Sequence, residues 1–150
     1  MFGPESYCGN SIGFVKEVIR NWKNSQRESL WLGLPGLRQS KEMLGGYRPN
    51  RSKDWINLGR KNLRLLIGLH TGHNHLNMHL KRIGVTDDDT CRFCLEDEET
   101  TQHVLTECPA LFRCRVRWFG INRIVAADLQ TLRASQVLGY LKESGLAEVL

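Results

Sequence analysis

Long apolar runs are missing from this chain. The longest, Leu65-Leu66-Ile67 extended by Gly68-Leu69, falls well short of the ~18 residues that span a bilayer. The opening residues Met1-Phe2-Gly3-Pro4-Glu5-Ser6 carry neither the basic segment nor the apolar stretch of a secretory signal. Together these absences predict a soluble intracellular protein with no membrane partner. Sequence patterns of the common catalytic chemistries are also lacking: there is no P-loop, no nucleophile elbow and no HExxH helix. Asp87-Asp88-Asp89 are neighbours in a turn rather than carboxylates spaced to share a divalent ion, and Glu96-Asp97-Glu98-Glu99 reads as an exposed acidic tip. The chain is therefore expected not to be an enzyme. Internal repeats and low-complexity segments are absent too.

Acidic residues are scarce in one stretch and crowded in the next. Residues 47–82 hold eight basic side chains and one acid, Asp54, whereas residues 83–110 hold eight acids and one base, Arg92. The flanking segments are mildly basic, and the whole chain is formally +5. Such polarity suits a polyanion-binding face beside an acidic lobe, or two lobes that attract each other.

What is present is ordinary globular material. The 150 residues are 41% hydrophobic and 25% charged, enough for one compact domain or two small ones. Periodicity predicts helices throughout. Asn10 or Ser11 caps a helix with the stripe Phe14, Val15, Val18, Ile19 and Trp22, running on to Leu30-Trp31 and broken by Gly33–Gly36. A short helix or turn follows at Gln39–Leu44. A long helical stretch covers Ser52–His70, with Gly59 as a possible split, and another short helix His75–Ile83, with Leu76, Leu80 and Ile83 inward. Further helices are expected from Thr100 or Thr101 through Leu105, over Ala110–Phe119, and over Leu129–Glu143. Trp22, Trp31, Trp55 and Trp118 read as core anchors. The expected fold class is mainly α, a small multi-helix domain with an inserted CCHC zinc knuckle. Its parts are an N-terminal helical segment at 1–46, a basic helical segment at 47–84, the knuckle at 85–110 and C-terminal helices at 111–150.

Five cysteines, an odd number without a secretory signal, argue against a disulfide framework. Four of them fall between residues 91 and 114. Cys91 and Cys94, then His103, then Cys108 follow the spacing C-x2-C-x8-H-x4-C. Two thiolates three positions apart reach one ion across a tight turn, and an adjacent short helix supplies the other pair. Four N/S ligands suit tetrahedral Zn2+ with no open position, a site that folds its segment rather than activating water. Cys114 is the rival ligand, and Cys8 reads as a plain buried thiol. His75 and His79, one helical turn apart, lack a third metal ligand; with His70 and His73 they suit capping, packing and hydrogen bonding, His73 to a carbonyl at a helix end.

With these ligands in place the chain resembles the extreme C-terminal region of the polyprotein of jockey-like non-LTR (LINE-type) retrotransposons. The matching residues run Leu65–His73 with its Thr71-Gly72-His73, then Leu76-Asn77, His79-Leu80 and Gly84. They continue through Cys91–Cys94, Glu98-Glu99-Thr100, His103-Val104-Leu105 and Glu107–Leu111. Upstream, Gly3-Pro4-Glu5 and Cys8-Gly9 resemble the junction that follows the ribonuclease H domain. The resemblance implies a nucleic-acid-binding CCHC module acting in target-primed reverse transcription, with Cys91, Cys94, His103 and Cys108 as ligands. It also implies RNA or DNA and the upstream reverse transcriptase and ribonuclease H domains as partners, and a nuclear and cytoplasmic ribonucleoprotein location. The polymerase and nuclease carboxylates lie outside this chain. The x8 gap is longer than the x4 of retroviral nucleocapsid knuckles, so their compact geometry is not carried over.

Charge refines that expectation. The acidic lobe repels phosphate, so the contacts are expected from Arg60, Lys61, Arg64, Lys81 and Arg82, joined by Arg113 and Arg117. Within the lobe, Arg92 is the candidate for a phosphate contact, and Phe93 either stacks on a base or packs against its own turn. The alternative functions are a structural protein-interaction module and a decayed retroelement fragment with no independent activity.

Overall fold

The computed structural model describes residues 11–46, 48–120 and 124–150. Cys8, the Gly3–Gly9 junction and a cap from Asn10 lie outside the described residues. Contacts divide the chain into two compact units, one ending at Pro35 and the other running Gly36–Leu150.

The first unit holds α1 (Ile12–Gly33), capped by Ser11, whose Oγ accepts from the Phe14 N–H at 3.2 Å. Its apolar stripe forms as expected, but none of the helix is buried, and Trp22 is exposed rather than a core anchor.

The second unit is mainly helical, and among the described residues its only strand-like pairing is the isolated antiparallel bridge Thr90–Glu98. In order come α2 (Arg38–Leu44), α3 (Pro49–Ile56), α4 (Arg60–Thr71) and α5 (Asn77–Arg82). A π-helical turn (His103–Glu107) and a 3-10 turn (Pro109–Leu111) lead into α6 (Phe112–Phe119), α7 (Ala126–Leu129), α8 (Ala134–Glu143) and α9 (Leu146–Val149). The stretch expected over Ser52–His70 is two helices: the chain turns at Asn57–Gly59, and extended Gly59 becomes the N-cap of α4. The expected helix Leu129–Glu143 also breaks. Thr131 Oγ1 donates to the Asp128 carbonyl at 2.8 Å, closing α7, and Gln136 Oε1 accepts from the Arg133 N–H at 3.0 Å, opening α8.

The core lies between α4 and α8. Leu65, Leu66 and Leu69 face Val137, Leu138, Tyr140 and Leu141, and the cluster is completed by Leu76, Val104, Leu105, Leu111, Phe119 and Leu146. Each fully buried leucine or phenylalanine contributes about 1.5–3 kcal/mol, so this one cluster joins the helices to the cysteine-bearing segment. Ile83 is exposed because α5 ends before it, and Ile67 points away from the α4 stripe.

The end of α4 is closed by side chains of α2. Gln39 Nε2 donates to the Leu69 carbonyl at 2.8 Å and Ser40 Oγ to that of His70 at 3.1 Å. His70 is buried edge-on against Trp55 with centroids 4.9 Å apart, and its Nδ1 lies 2.7 Å from the Leu66 carbonyl. Burial lowers its pKa and keeps the ring neutral. A carbonyl only accepts, so the proton sits on Nδ1.

Trp118 lies directly over Gly139 of α8, where any Cβ would land inside the indole. Gly139→Ala is expected to destabilise the unit by about 1–3 kcal/mol, read as a lower denaturant midpoint with altered tryptophan fluorescence.

Candidate metal centre

The cysteine-bearing segment folds as a loop closed on itself. The Cys91 N–H donates to the Asp97 carbonyl and the Glu99 N–H to that of Asp89, both at 2.7 Å, so residues 91–97 form a tight knuckle. Leu95, the residue after Cys94, adopts the left-handed conformation at φ 60, which turns the following backbone N–H groups inward.

That turn serves the sulfurs. The backbone N–H groups of Cys94 and Phe93 donate to Cys91 Sγ, those of Asp97 and Glu96 to Cys94 Sγ, and those of Leu111 and Ala110 to Cys108 Sγ. Each sulfur thus receives donors from the second and third residues beyond its own. Such bonds favour the thiolate over the thiol. Burial pushes Cys91 up despite its donors, and Cys108 up to about 12. At Cys94 burial also raises the pKa, but the two N–H groups and the His103 ring outweigh it and hold the thiol at about 6.

The fourth ligand comes from the π-helical turn. The Cys108 N–H donates to the His103 carbonyl at 2.8 Å, one residue beyond α-helical reach. This wider turn replaces the regular helix expected there and brings an imidazole and a thiol five positions apart onto the same ion site. Buried Tyr140 donates its hydroxyl to the Val104 carbonyl within the turn, and Thr106 Oγ1 donates to that of Gln102 at 2.8 Å. Asp97 Oδ2 lies 3.8 Å from His103 Nδ1, leaving Nε2 toward the sulfurs.

The ligand atoms of Cys91, Cys94, His103 and Cys108 lie within 4.8 Å of one another. Cys91 Sγ and Cys108 Sγ are 3.9 Å apart, and Cys94 Sγ is 3.3 Å from His103 Nε2. A tetrahedral site with sulfur and nitrogen ligands has edges of about 3.8 Å and about 3.6 Å respectively. The donor set, its spacing and the N–H bonds to every sulfur fit a metal ion. Cys114 is not a member of the cluster.

The acidic run beside the site is not uniformly solvated. Glu96, Asp97 and Glu98 are exposed, but Glu99 is wholly buried. Its Oε1 accepts from Arg92 Nε at 2.6 Å and its Oε2 from Arg92 Nη2 at 2.7 Å and the Asn77 N–H at 2.7 Å. Arg92 Nη2 also donates to the His75 carbonyl and to Asn77 Oδ1. The knuckle is thereby tied to the start of α5, and although Arg92 is exposed, its Nε and Nη2 are bonded within the protein and its charge is paired with Glu99. Phe93 packs against the core.

The other expected contacts separate into two groups. Lys81 is ion-paired with Asp89 at 2.7 Å and Arg117 with Glu143 at 3.1 Å. Arg60, Lys61 and Arg64 are exposed on α4 opposite its buried leucines, and Arg82 and Arg113 are exposed as well. Of the histidines, His75 Nδ1 lies 3.1 Å from the Leu150 carbonyl, while His73 stands edge-on to His79.

Arg115 was not singled out by sequence. It is buried at 3% exposure, one turn from buried Leu111, the N-cap of α6, and from buried Phe119, so these three residues form one inward row. That spacing was the available signal, masked by the exposed arginines on either side.

No protein-family model matches the chain, and no match is found among curated proteins or solved structures.

Proposed function

We propose that this chain is a zinc-stabilised nucleic-acid-binding module of the kind found at the C-terminus of LINE-type retroelement polyproteins, working beside reverse transcriptase and ribonuclease H domains. Three thiolates and one imidazole select Zn2+ over the hard cations, and a full set of four protein ligands leaves no position for catalysis. The module is read as a binder of RNA or DNA, not an enzyme.

The observation that carries the nucleic-acid reading is the opening of α4. Arg60, Lys61 and Arg64 stand in its first turns with no acid among them. The positive end of a helix dipole favours carboxylates there, so three exposed cations form a local excess of charge that a phosphate backbone would neutralise. A second reading, a structural module docking onto protein, draws on the exposed apolar stripe of α1.

The test is RNA and DNA binding across a salt series with zinc-loaded protein. The wild type should show a steep logarithmic salt slope. Replacing Arg60, Lys61 and Arg64 by Ala should flatten it by about 2 on single-stranded RNA, at ~0.7 per phosphate contact. Salt-independent binding, or a slope unchanged in the triple variant, would favour the docking reading.

A further inference from the structure

We infer that the buried guanidinium of Arg115 is the counter-charge of the metal centre and positions its Cys108 arm. This rests on the zinc reading above. A Zn2+ ion held by three thiolates and a neutral imidazole carries a formal charge of −1. That charge lies among buried groups, with Cys91, Cys108 and His103 each no more than 3% exposed. Water screens it poorly, and the carboxylate of Asp97, 3.8 Å from His103, adds to it.

Arg115 supplies the opposite sign from the inner side. Its Nη1 donates to the carbonyl of ligand Cys108 at 2.6 Å and its Nη2 lies 3.5 Å from that of Glu107. Its Nε has no hydrogen-bond partner, and it belongs to none of the ion pairs among the described residues. Neighbouring Tyr140, whose hydroxyl donates to the Val104 carbonyl, has its pKa raised by burial and stays neutral. A buried cation with only neutral partners is strongly unfavourable. The unfavourable charge is resolved once the neighbouring cluster carries one negative charge. The planar fork of arginine also grips two successive carbonyls, Glu107 and Cys108, which a lysine ammonium does less well. Arg115 touches no ligand atom and acts through the Cys108 backbone and through its charge.

The experiment measures Zn2+ affinity by competition with a chromophoric chelator, and denaturant stability with and without metal, for wild type, Arg115→Gln and Arg115→Lys. Arg115→Gln should weaken Zn2+ binding by about 10–100-fold, the usual cost of losing a group that supports metal ligands, and leave the metal-free protein no less stable. Arg115→Lys, which keeps the charge, should retain most of the affinity. A Cys94→His background makes the ligand set formally neutral, and there Arg115→Gln should cost markedly less affinity, only the carbonyl contacts being lost. That background decides the matter if Arg115→Gln alone does not fold. Equal affinity of wild type and Arg115→Gln, equal losses in the Gln and Lys variants, or the same loss in the neutral background would overturn the inference while leaving the zinc site standing. A wild type that binds no Zn2+ would overturn both.

Discussion

On the proposed zinc reading, stripping the metal with a strong chelator is expected to destabilise residues 85–111 severely, and most of the second unit with them. The segment contains no long helix, and its apolar residues Val104, Leu105 and Leu111 belong to the same buried cluster as Leu66 and Tyr140. Without the ion, Cys91 and Cys108 become buried thiols, Cys108 with a pKa of about 12, that hold one another only weakly. Structural zinc provides about 10–16 kcal/mol of apparent binding energy in small zinc peptides, comparable with the ~5–15 kcal/mol that holds a whole domain folded. Melting followed by circular dichroism should fall by tens of degrees on chelation, with one metal released per chain. Cys91→Ser and Cys108→Ser should behave like the chelated protein, while Cys114→Ser should keep full metal content. A metal-free protein that melts like the loaded one would remove zinc from the fold.

The second large effect concerns Glu99. Glu99→Ala removes a wholly buried carboxylate that accepts from two Arg92 side-chain nitrogens and from the Asn77 N–H. It leaves the guanidinium facing two acceptors, the His75 carbonyl and Asn77 Oδ1, in place of a charge partner. Breaking one side of a buried pair costs about 3–5 kcal/mol, and the 31% exposure of Arg92 puts Glu99→Ala at the lower end. Arg92→Met should cost a similar amount by stranding the carboxylate, and the double change Arg92→Met with Glu99→Met markedly less than the two singles together. Equilibrium unfolding of the four proteins measures the coupling, and additive costs would show that the pair is not a unit. Arg92→Met should also leave the salt slope of RNA binding unchanged, because the charge of Arg92 is already neutralised by Glu99.

The parts legible in the sequence are those governed by near neighbours. Leu66 and Leu69 of α4 announce themselves by helical spacing, Ser11 by its position at a helix start, Gly59 as a possible break, and the four candidate metal ligands by short fixed intervals. The basic opening of α4 is equally local. What was not legible depends on residues distant in the chain. Nothing adjacent distinguishes Glu99 from exposed Glu96–Glu98; its burial is set by Arg92 and by the start of α5. Arg115 differs from Arg113 and Arg117 only because α6 turns that side toward Cys108 and Tyr140. The π-helical turn was missed because the α-helical period anticipates bonds four residues apart, whereas Cys108 reaches back five.

That turn has a consequence for how the segment can vary. In a loop, one residue more or fewer is absorbed by slack. Between His103 and Cys108 there is none: the backbone bond joining them, the hydroxyl from Tyr140 and the two side chains aimed at one point all depend on four intervening residues. A deletion would swing the imidazole about 100° around the helix axis, away from the sulfurs. Length here is a chemical property, as consequential as the identity of any single side chain, whereas exposed Glu96 and Glu98 nearby carry no comparable constraint.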